Sequence, residues 1–403
     1  MRDGERNMEK TDIAVIGASP AGLMAARYAA LGGAKVTLFE KKEAIGENVH
    51  PANSFYRGMI NLTGEKVDAS YVVHKIKGMK LVSPCGHTIK VKTPGYAIDK
   101  SKFDKLYEKK TIAAGVNIQT GTEVLDVSRK ESGVVLKTTS AASLEEKNKI
   151  KAKIVIIADG ILSKNVKACG LSTMKHPDDI AWGTELTIKS PGIGLSEYAE
   201  YYIGSHAPGW KSSYLPRGGD EAAIGVYVRH YGKDVSSFLN PWVERFKKSK
   251  GIKEGEFEIL ESKSAGDPIV TIPNKTYTSN VMAVGGAAGQ SGIGYAMHAG
   301  QIAGEVGALA VAKADYSERM LSQYRRNWKR SLYTEHVFGR IGLETLRKMD
   351  DEEIDELFEV FEGEDVSSLV KGNTFNQGVS VLSLMIQKNP SSILKAGAYF
   401  RNR

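Results

Sequence analysis

Short apolar runs that end in small residues recur along this chain and predict buried parallel strands. The first run covers 13–16 and leads into a glycine-rich turn, which an alanine-rich helical segment at 23–31 follows. The next run covers 35–40, so strand, turn, helix and strand fit within about 30 residues. The runs at 154–158 and 281–284 are also continuously apolar. Strands of a parallel sheet are buried on both faces, so these runs predict two more such strands.

Other patterns predict the rest of the architecture. A helix is expected over 101–114, strands over 116–120 and 134–138, and a hairpin or a loop over the charged stretch 143–153. Alternation over 181–230 predicts an antiparallel sheet, and small residues up to Lys313 predict a long helix. The last part of the chain reads as amphipathic helices, one of which begins at Asp350 with Glu353 three residues later.

We therefore expect an α/β protein with a Rossmann-like nucleotide-binding domain, an antiparallel-sheet substrate domain and a helical C-terminal cap. The predicted boundaries are 9–75, 96–170 and 270–315 for the first domain, 76–95 and 171–269 for the second, and 316–403 for the cap.

Composition narrows the function classes. The net charge of +8 is mild, which allows an anionic surface or substrate but does not favour nucleic acid as a partner. The two cysteines, Cys85 and Cys169, exclude a disulfide scaffold and a four-cysteine zinc site, and we expect no metal. The two cysteines fit a reducing cytoplasm, no apolar run is long enough to span a bilayer, and the polar start does not look like a signal peptide, so we expect a cytoplasmic protein.

The first turn carries the strongest chemical signal. Gly17 and Gly22 supply the outer glycines of a phosphate-binding loop, and Ser19 replaces the middle one. Backbone amides at the start of the following helix would bind a pyrophosphate, and Glu40 would accept the ribose hydroxyls. The alternative is a glycine-rich turn without a nucleotide.

Three strands end in small-residue turns, at Gly17, at Asp159-Gly160 and at Gly285-Gly286. In this order they resemble the FAD-binding fold of aromatic hydroxylases and related flavoproteins. The runs 40–46, 95–106 and 202–218 further resemble the archaeal geranylgeranyl reductase family, which saturates double bonds of isoprenoid lipids. The resemblance implies FAD as the cofactor, an isoprenoid lipid as the substrate, and an unidentified electron donor, either ferredoxin or a nicotinamide.

The resemblance also gives candidate site residues. The cofactor contacts would be Gly17, Ala18, Ser19, Pro20, Ala21, Gly22, Glu40, Lys41, Val49, Ala52, Lys100, Val124, Asp159, Gly160, Gly286, Gly292, Ile293 and Gly294. The substrate pocket would include Trp210, Lys211 and Tyr214. His50 is the candidate catalytic proton donor, and its alternative is a loop histidine packed on Pro51.

The chain departs from the family pattern around the expected flavin position. His50-Pro51-Ala52 stands where the family has Arg-Cys-Gly, Lys100 replaces an arginine, and Gly286 replaces an aspartate. Two other functions therefore stay open: an FAD monooxygenase acting on a hydrophobic substrate, and a lipid-binding pseudoenzyme without flavin. In the reductase hypothesis, the helix that begins near Ile293 would stabilise the anionic reduced flavin with its positive end.

Three surface features leave alternatives open. Basic clusters at 245–253 and 325–330 are either solvated helix faces or contacts with anionic lipid headgroups. The apolar run 379–386 would pack on the protein, enter a membrane or cap a lipid tunnel. These features suggest a peripheral position at the inner membrane face as one alternative.

Overall fold

A computed structural model describes residues 8–47, 51, 53–130, 133–140, 143–176, 179–269, 272–362 and 366. The helices are α1 (Pro20–Leu31), α2 (Arg57–Asn61), α3 (Lys100–Ala113), α4 (Lys164–Ala168), α5 (Ser236–Lys250), α6 (Ile293–Ala312), α7 (Glu318–Lys348) and α8 (Asp351–Phe361). The strands are β1 (Glu9–Ile16), β2 (Val36–Phe39), β3 (Ser54–Tyr56), β4 (Val72–Ile76), β5 (Gly78–Val82), β6 (Thr88–Val91), β7 (Gly95–Ile98), β8 (Asn117–Gln119), β9 (Thr122–Lys130), β10 (Gly133–Ser140), β11 (Ser143–Ile157), β12 (Ser172–Met174), β13 (Ile180–Lys189), β14 (Tyr198–Tyr202), β15 (Lys211–Pro216), β16 (Glu221–Arg229), β17 (Glu258–Pro268), β18 (Pro273–Lys275), β19 (Tyr277–Thr278) and β20 (Val281–Ala283).

The first core forms around an eight-stranded sheet with the order β19-β20-β11-β1-β2-β8, to which the β9–β10 hairpin is attached through β11. The predicted apolar runs are its central strands, and β1 pairs in parallel with both β2 and β11. The turns after β1, β11 and β20 therefore lie at the same edge, because these three strands run in the same direction.

Of the two alternatives predicted for the charged stretch 143–153, the structure shows the hairpin, of which this stretch forms one arm. It forms one continuous strand with the apolar run, β11, whose first part pairs antiparallel with β10. The last part of β11 enters the parallel sheet beside β1. The charged stretch thus continues directly into a central strand of the parallel sheet.

Helices α1 and α6 pack closely on one face of this sheet. A Cβ atom on Gly300 would overlap the carbonyl oxygen of Ala21, and one on Gly304 would overlap that of Ala25. The glycines of α6 therefore permit a backbone-to-backbone approach, which places the start of α6 near the start of α1.

The second core forms around a seven-stranded sheet with the order β17-β13-β16-β15-β14-β5-β6. One face packs on α5 through Trp242 and Phe246, which are fully buried. The other face packs on the three-stranded sheet β3-β7-β4, through contacts such as that of Leu215 with the cluster around Tyr56. This arrangement is the predicted α/β class with an antiparallel second sheet, whereas the domain boundaries stay a prediction.

The C-terminal helices connect the two cores. Tyr324 and Trp328 of α7 are buried, whereas Arg326, Lys329 and Arg330 of the same helix are exposed. The predicted cap of α8 is confirmed, since Asp350 and Glu353 form a capping box. The apolar run 379–386 lies outside the described residues.

A buried ion-pair network joins α7 to the seven-stranded sheet. Arg229 of β16 is 1% exposed and pairs with Asp179 and with Glu344 of α7. Arg340, one turn before Glu344, also pairs with Asp179. Burial raises the pKa of Glu344, but Arg347, Arg340 and Arg229 together hold it below its usual range. Removing one partner would leave a buried charge uncompensated.

Candidate cofactor and active site

The three small-residue turns converge into one continuous edge. A Cβ atom on Gly17 would lie 2.7 Å from the carbonyl oxygen of Ala158, at the end of β11. A Cβ on Gly285 would lie 2.9 Å from the Cβ of Ala21, and one on Gly286 would lie 3.3 Å from the Cα of Gly160. The first and third turns thus contact each other, and each contacts the second.

Ser19 has a specific role where the loop pattern has glycine. Its hydroxyl accepts a hydrogen bond from the Gly22 amide at 3.3 Å and donates one to the Ala158 carbonyl at 3.1 Å. The backbone φ of Ser19 is −63°, which any residue adopts. The serine therefore caps α1 and ties its start to β11, while Pro20 occupies the first helical position, where its missing N–H costs nothing.

Glu40 lies beside the first turn. Its Oε2 accepts a hydrogen bond from the Ala18 amide at 2.7 Å, and its Oε1 accepts one from the Lys42 amide at 3.0 Å. The backbone carbonyl of Glu40 accepts from the Thr122 amide, which brings the start of β9 to the same place. The carboxylate is thus fixed next to the amides of the turn.

The third turn is held by a buried side-chain relay that the sequence analysis did not identify. Gln290 is 3% exposed and accepts a hydrogen bond from the Gly285 amide at 2.7 Å. Its amide group donates to the hydroxyl of Tyr324 on α7 at 2.8 Å, and that hydroxyl donates to the Ala283 carbonyl at 3.0 Å. A helix distant in sequence therefore fixes the shape of this turn.

Helix α6 begins directly after the third turn. Gly292 caps it with a φ of +81°, which favours glycine, and Ile293 is the first helical residue. A Cβ on Gly294 would lie 2.5 Å from the Met59 carbonyl, so α6 and α2 are in close contact. Ser291 donates a hydrogen bond to Asp267 on β17 at 2.9 Å, which brings this helix start to the seven-stranded sheet.

The other predicted cofactor residues differ in their surroundings. Lys41 lies near enough to the exposed Asp159 for their charges to interact. Lys100, in contrast, is buried and paired with Asp104 one helical turn away. Val124 is buried in the apolar cluster beneath β9. Lys41 and Asp159 thus lie at the edge with the turns, whereas the ammonium group of Lys100 is already paired.

Several predicted residues lie outside the described part of the chain. His50, Val49 and Ala52 belong to this group, so their roles stay predictions.

The predicted pocket residues divide between the two faces of the seven-stranded sheet. The Lys211 ammonium lies over the ring of Tyr201, 3.7 Å from its centroid, and 5.2 Å from that of Trp210. Tyr214 belongs to the opposite face, where it packs on Phe246 of α5 and donates to the Ile193 carbonyl. Only the face with Lys211 is turned toward the three-stranded sheet.

Sequence reasoning missed the polar groups on that inner face. Glu185 of β13 accepts hydrogen bonds from the hydroxyl of Tyr227 at 3.2 Å and from the side-chain amide of Asn53. Nearby, the hydroxyls of Tyr56 and Tyr201 are 2.9 Å apart. Glu185 lies in the alternating stretch 180–189, two residues after Gly183. A charged residue close to a glycine in a predicted strand is the local feature that could have identified it.

The cysteines have ordinary surroundings. Cys85 is exposed in the turn between β5 and β6, and Cys169 is buried. Burial raises the pKa of Cys169 to about 11, and the Asp355 carboxylate raises the pKa of Cys85. Neither thiol has the lowered pKa typical of a redox-active cysteine.

The residues at the converging turns fit a dinucleotide. A Cβ atom on Gly22 would overlap the Gly17 carbonyl oxygen, so the turn requires glycine there. Beside Gly160, where φ is +89°, an added Cβ would meet nothing within 4 Å. Near the inner sheet face, Nε of Arg217 is buried without a hydrogen-bond partner among the described residues. Open space beside glycine turns and an unpaired donor both suit a bound cofactor.

Comparison with known proteins decides the family. A family model described as "FAD binding domain" matches residues 10–264. Digeranylgeranylglycerophospholipid reductase 1 of Methanothermobacter thermautotrophicus is 31% identical, over 97% of this chain and 98% of its own length. The corresponding reductase of Methanocaldococcus jannaschii is 33% identical, over 89% of this chain and 94% of its own length.

The chain belongs to the digeranylgeranylglycerophospholipid reductase family. A solved structure of a geranylgeranyl bacteriochlorophyll reductase-like protein from Thermoplasma acidophilum has the same fold, with a TM-score of 0.85 and 24% identity. The alignment covers 97% of this chain and all of that one. Membership in this family confirms the predicted resemblance, the flavoprotein fold and FAD as the cofactor.

No helix within the described residues is both long and apolar enough to cross a bilayer.

Proposed function

We propose that this family member uses FAD to reduce the isolated double bonds of geranylgeranyl chains on an archaeal-type glycerophospholipid. The observation that carries the proposal is the convergence of the three turns around Glu40 in a chain related over nearly its whole length to named digeranylgeranylglycerophospholipid reductases. When bound, FAD supplies the hydride chemistry that no side chain can provide.

The chain's own residues have separate tasks in this proposal. The amides of the first turn and the start of α1 bind the pyrophosphate, and Glu40 accepts the ribose hydroxyls. Glycine at 160 leaves space beside the backbone, where an added Cβ would meet nothing within 4 Å, and glycine at 286 permits the close approach of the third turn to the second. The start of α6, at Ile293 and Gly294, would stabilise negative charge on the reduced cofactor with its backbone amides. These assignments are supported by the shared edge on which the residues lie.

The substrate surface is the inner face of the seven-stranded sheet. Its apolar residues Ala199, Leu215 and Ala223 are buried against Tyr56 of β3, so the substrate would lie beside them, on the part of the face that carries Trp210 and Lys211. An isolated alkene is a poor hydride acceptor, so the reaction needs a dry apolar channel and a nearby proton donor. Trp210 and Lys211 border this face and would contact the prenyl chain or its polar head.

The electron donor stays a prediction, with ferredoxin and a nicotinamide as the candidates. Contact with a membrane surface also stays a prediction, supported by the exposed Arg326, Lys329 and Arg330 of α7. A lipid substrate has to leave its bilayer, and basic residues attract anionic headgroups by about 1 kcal/mol each.

The test begins with the purified protein and its visible spectrum, which reports bound FAD. The flavin is then reduced chemically without oxygen, and digeranylgeranylglycerophospholipid is added in detergent. We expect the oxidised flavin spectrum to return as saturated lipid appears by mass spectrometry.

Two other outcomes would contradict the proposal. Lipid-stimulated consumption of oxygen and NAD(P)H, with a hydroxylated product, would indicate a monooxygenase. A colourless protein that takes up no FAD but carries lipid would indicate a binding protein.

A further inference from the structure

The inner face of the seven-stranded sheet carries a carboxyl group that the cofactor-binding residues do not use. Glu185 pairs across the sheet with Gly225 of β16 and with Lys263 of β17. Residues paired in this way point to the same face, which packs on the three-stranded sheet. The adjacent row consists of Gly183, Tyr227 and Lys211.

Two glycines shape the surroundings of this carboxyl. A Cβ atom on Gly183 would overlap the ring of Tyr227, and one on Gly225 would lie 3.0 Å from the same ring. The tyrosine ring therefore lies across both glycines, and its hydroxyl reaches Glu185 at 3.2 Å. Two glycines in neighbouring strands thus direct one tyrosine hydroxyl toward one carboxyl.

The second support for Glu185 comes from the cofactor-binding part of the molecule. Asn53 donates from its side-chain amide to Glu185, and its backbone carbonyl accepts from the Ile98 amide at 2.7 Å. Arg217 donates to the Ile98 carbonyl at 3.4 Å. The carboxyl group is therefore held where the two cores meet.

The third turn borders the same face. Ser291, just before α6, donates to Asp267 of β17, which pairs with Ala181 of β13. Ala181, Gly183 and Glu185 alternate along one strand and point to the same side. Ala181, which faces Asp267, is four residues before Glu185 on β13. The start of α6 and Glu185 therefore lie along the same surface.

The surroundings of Glu185 favour the protonated form of its carboxyl group. Protein surrounds the carboxyl, and burial raises its pKa above that of a solvated glutamate. The residue is nevertheless half-buried, as is Tyr227, so each keeps part of its surface accessible. Tyr56 is a weaker candidate because burial raises the pKa of its phenol well above the ordinary value.

We propose that Glu185 is the catalytic proton donor of the double-bond reduction, positioned by Tyr227 and Asn53. The inference rests on the proposed function. One alkene carbon gains a hydride from reduced FAD, and the other gains the proton of Glu185. The products are a saturated C–C bond, oxidised FAD and the Glu185 carboxylate, which regains its proton from water.

This assignment predicts that the rate of lipid-dependent flavin reoxidation falls at high pH, which gives the pH–rate profile a descending limb. Arg217, Lys263 and Tyr227 are the charged and titratable groups that act on Glu185. Since its pKa is raised, Glu185 stays protonated at higher pH than a free glutamate, and lipid-dependent reoxidation falls as pH rises through that pKa. The protonated form also stabilises the fold at low pH, and this contribution is lost over the same rise.

The first test is Glu185→Gln, which keeps the size of the side chain but cannot donate an acidic proton. We expect normal FAD content and chemical reduction, but reoxidation by digeranylgeranylglycerophospholipid slowed by about 100-fold or more. Glu221→Gln, at the exposed end of the adjacent strand β16, is the control and should match wild type. Wild-type reoxidation rates in Glu185→Gln would overturn the proposal.

A second readout does not depend on turnover. The infrared spectrum of the oxidised protein, recorded at a pH where the wild type reduces the lipid, should contain a protonated carboxyl band that Glu185→Gln lacks. Absence of that band in wild type would overturn the proposal even if the lipid is reduced. If wild-type flavin is not reoxidised by the lipid at all, the proposed function itself fails, which separates the two ideas.

Tyr227→Phe keeps the proposal testable if Glu185→Gln does not fold. The tyrosine hydroxyl donates to the carboxylate and lowers its pKa, so its loss should move the pH limb to higher pH. We expect a reoxidation rate about 10-fold lower with unchanged FAD content. An unmoved limb would show that Tyr227 does not position Glu185.

Discussion

The cofactor edge and the inner sheet face are built in different ways. The cofactor edge consists mainly of backbone, with turns that converge because Gly17, Gly22 and Gly285 have no side chain. The inner face consists of side chains from separate strands, such as Glu185 on β13, Tyr227 on β16 and Asn53 before β3. Backbone sites depend on neighbours in sequence, and side-chain sites depend on the complete fold.

This difference explains how the two sites tolerate change. In the cofactor edge the middle glycine is replaced by serine without loss of the turn, because φ at that position is ordinary. In the inner face each group is held by a partner from another strand, so one substitution alters several contacts. We therefore expect substitutions at the cofactor edge to weaken FAD binding, and substitutions on the inner face to lower the rate of lipid-dependent reoxidation.

The largest effect is expected from Gly22→Ala. The new Cβ would overlap the Gly17 carbonyl oxygen, so the turn or the start of α1 has to move. We expect FAD affinity to fall at least about 100-fold, or about 2.7 kcal/mol, measured by titrating the apoprotein with FAD. Gly58→Ala in α2 is the control, because a Cβ there meets nothing within 4 Å. Equal FAD affinity in both variants would refute the backbone account.

Gly183→Ala makes the corresponding change on the inner face. The added methyl group overlaps the Tyr227 ring and should move its hydroxyl away from Glu185, with a packing cost of about 1–3 kcal/mol. We expect FAD binding within about twofold of wild type and lipid-dependent reoxidation about 10-fold slower. In a Tyr227→Ala background the same change should have no further effect on the rate. A fully additive loss would show that Gly183 acts by another route.

The sequence predicted the cofactor edge better than the active face for a physical reason. Gly17, Gly22 and Glu40 lie within one βαβ unit, whose spacing is set by local geometry. The Glu185–Tyr227–Asn53 cluster requires the pairing of β13 with β16 and the packing of two sheets, which bring together residues 42 and 132 positions apart and which local patterns do not specify. The same limit applies to Gln290 and Tyr324, since no motif indicates that α7 reaches the third turn.

Tyr324→Phe tests that distant support of the cofactor edge. Without the hydroxyl, the Gln290 amide and the Ala283 carbonyl lose their shared buried partner. We expect a loss of about 1–3 kcal/mol in the free energy of unfolding, measured with denaturant, and weaker FAD binding. Tyr333→Phe on the same helix is the matched control, because Tyr333 is 39% exposed. An unchanged FAD affinity in Tyr324→Phe would show that the relay does not shape the third turn.

The smallest effect is expected from substitutions of Ser19, which either caps α1 only or also contacts the cofactor. Ser19→Ala removes the cap of α1 and the bond to Ala158, so we expect a loss of about 1 kcal/mol in the free energy of unfolding. Ser19→Gly should cost only a few tenths of a kcal/mol, because glycine is itself an acceptable cap. If Ser19 serves only as a cap, FAD affinity should follow stability in both variants. A large drop in FAD affinity in both, out of proportion to stability, would instead mean that the hydroxyl contacts the cofactor directly, and the edge would then depend on a side chain as the inner face does.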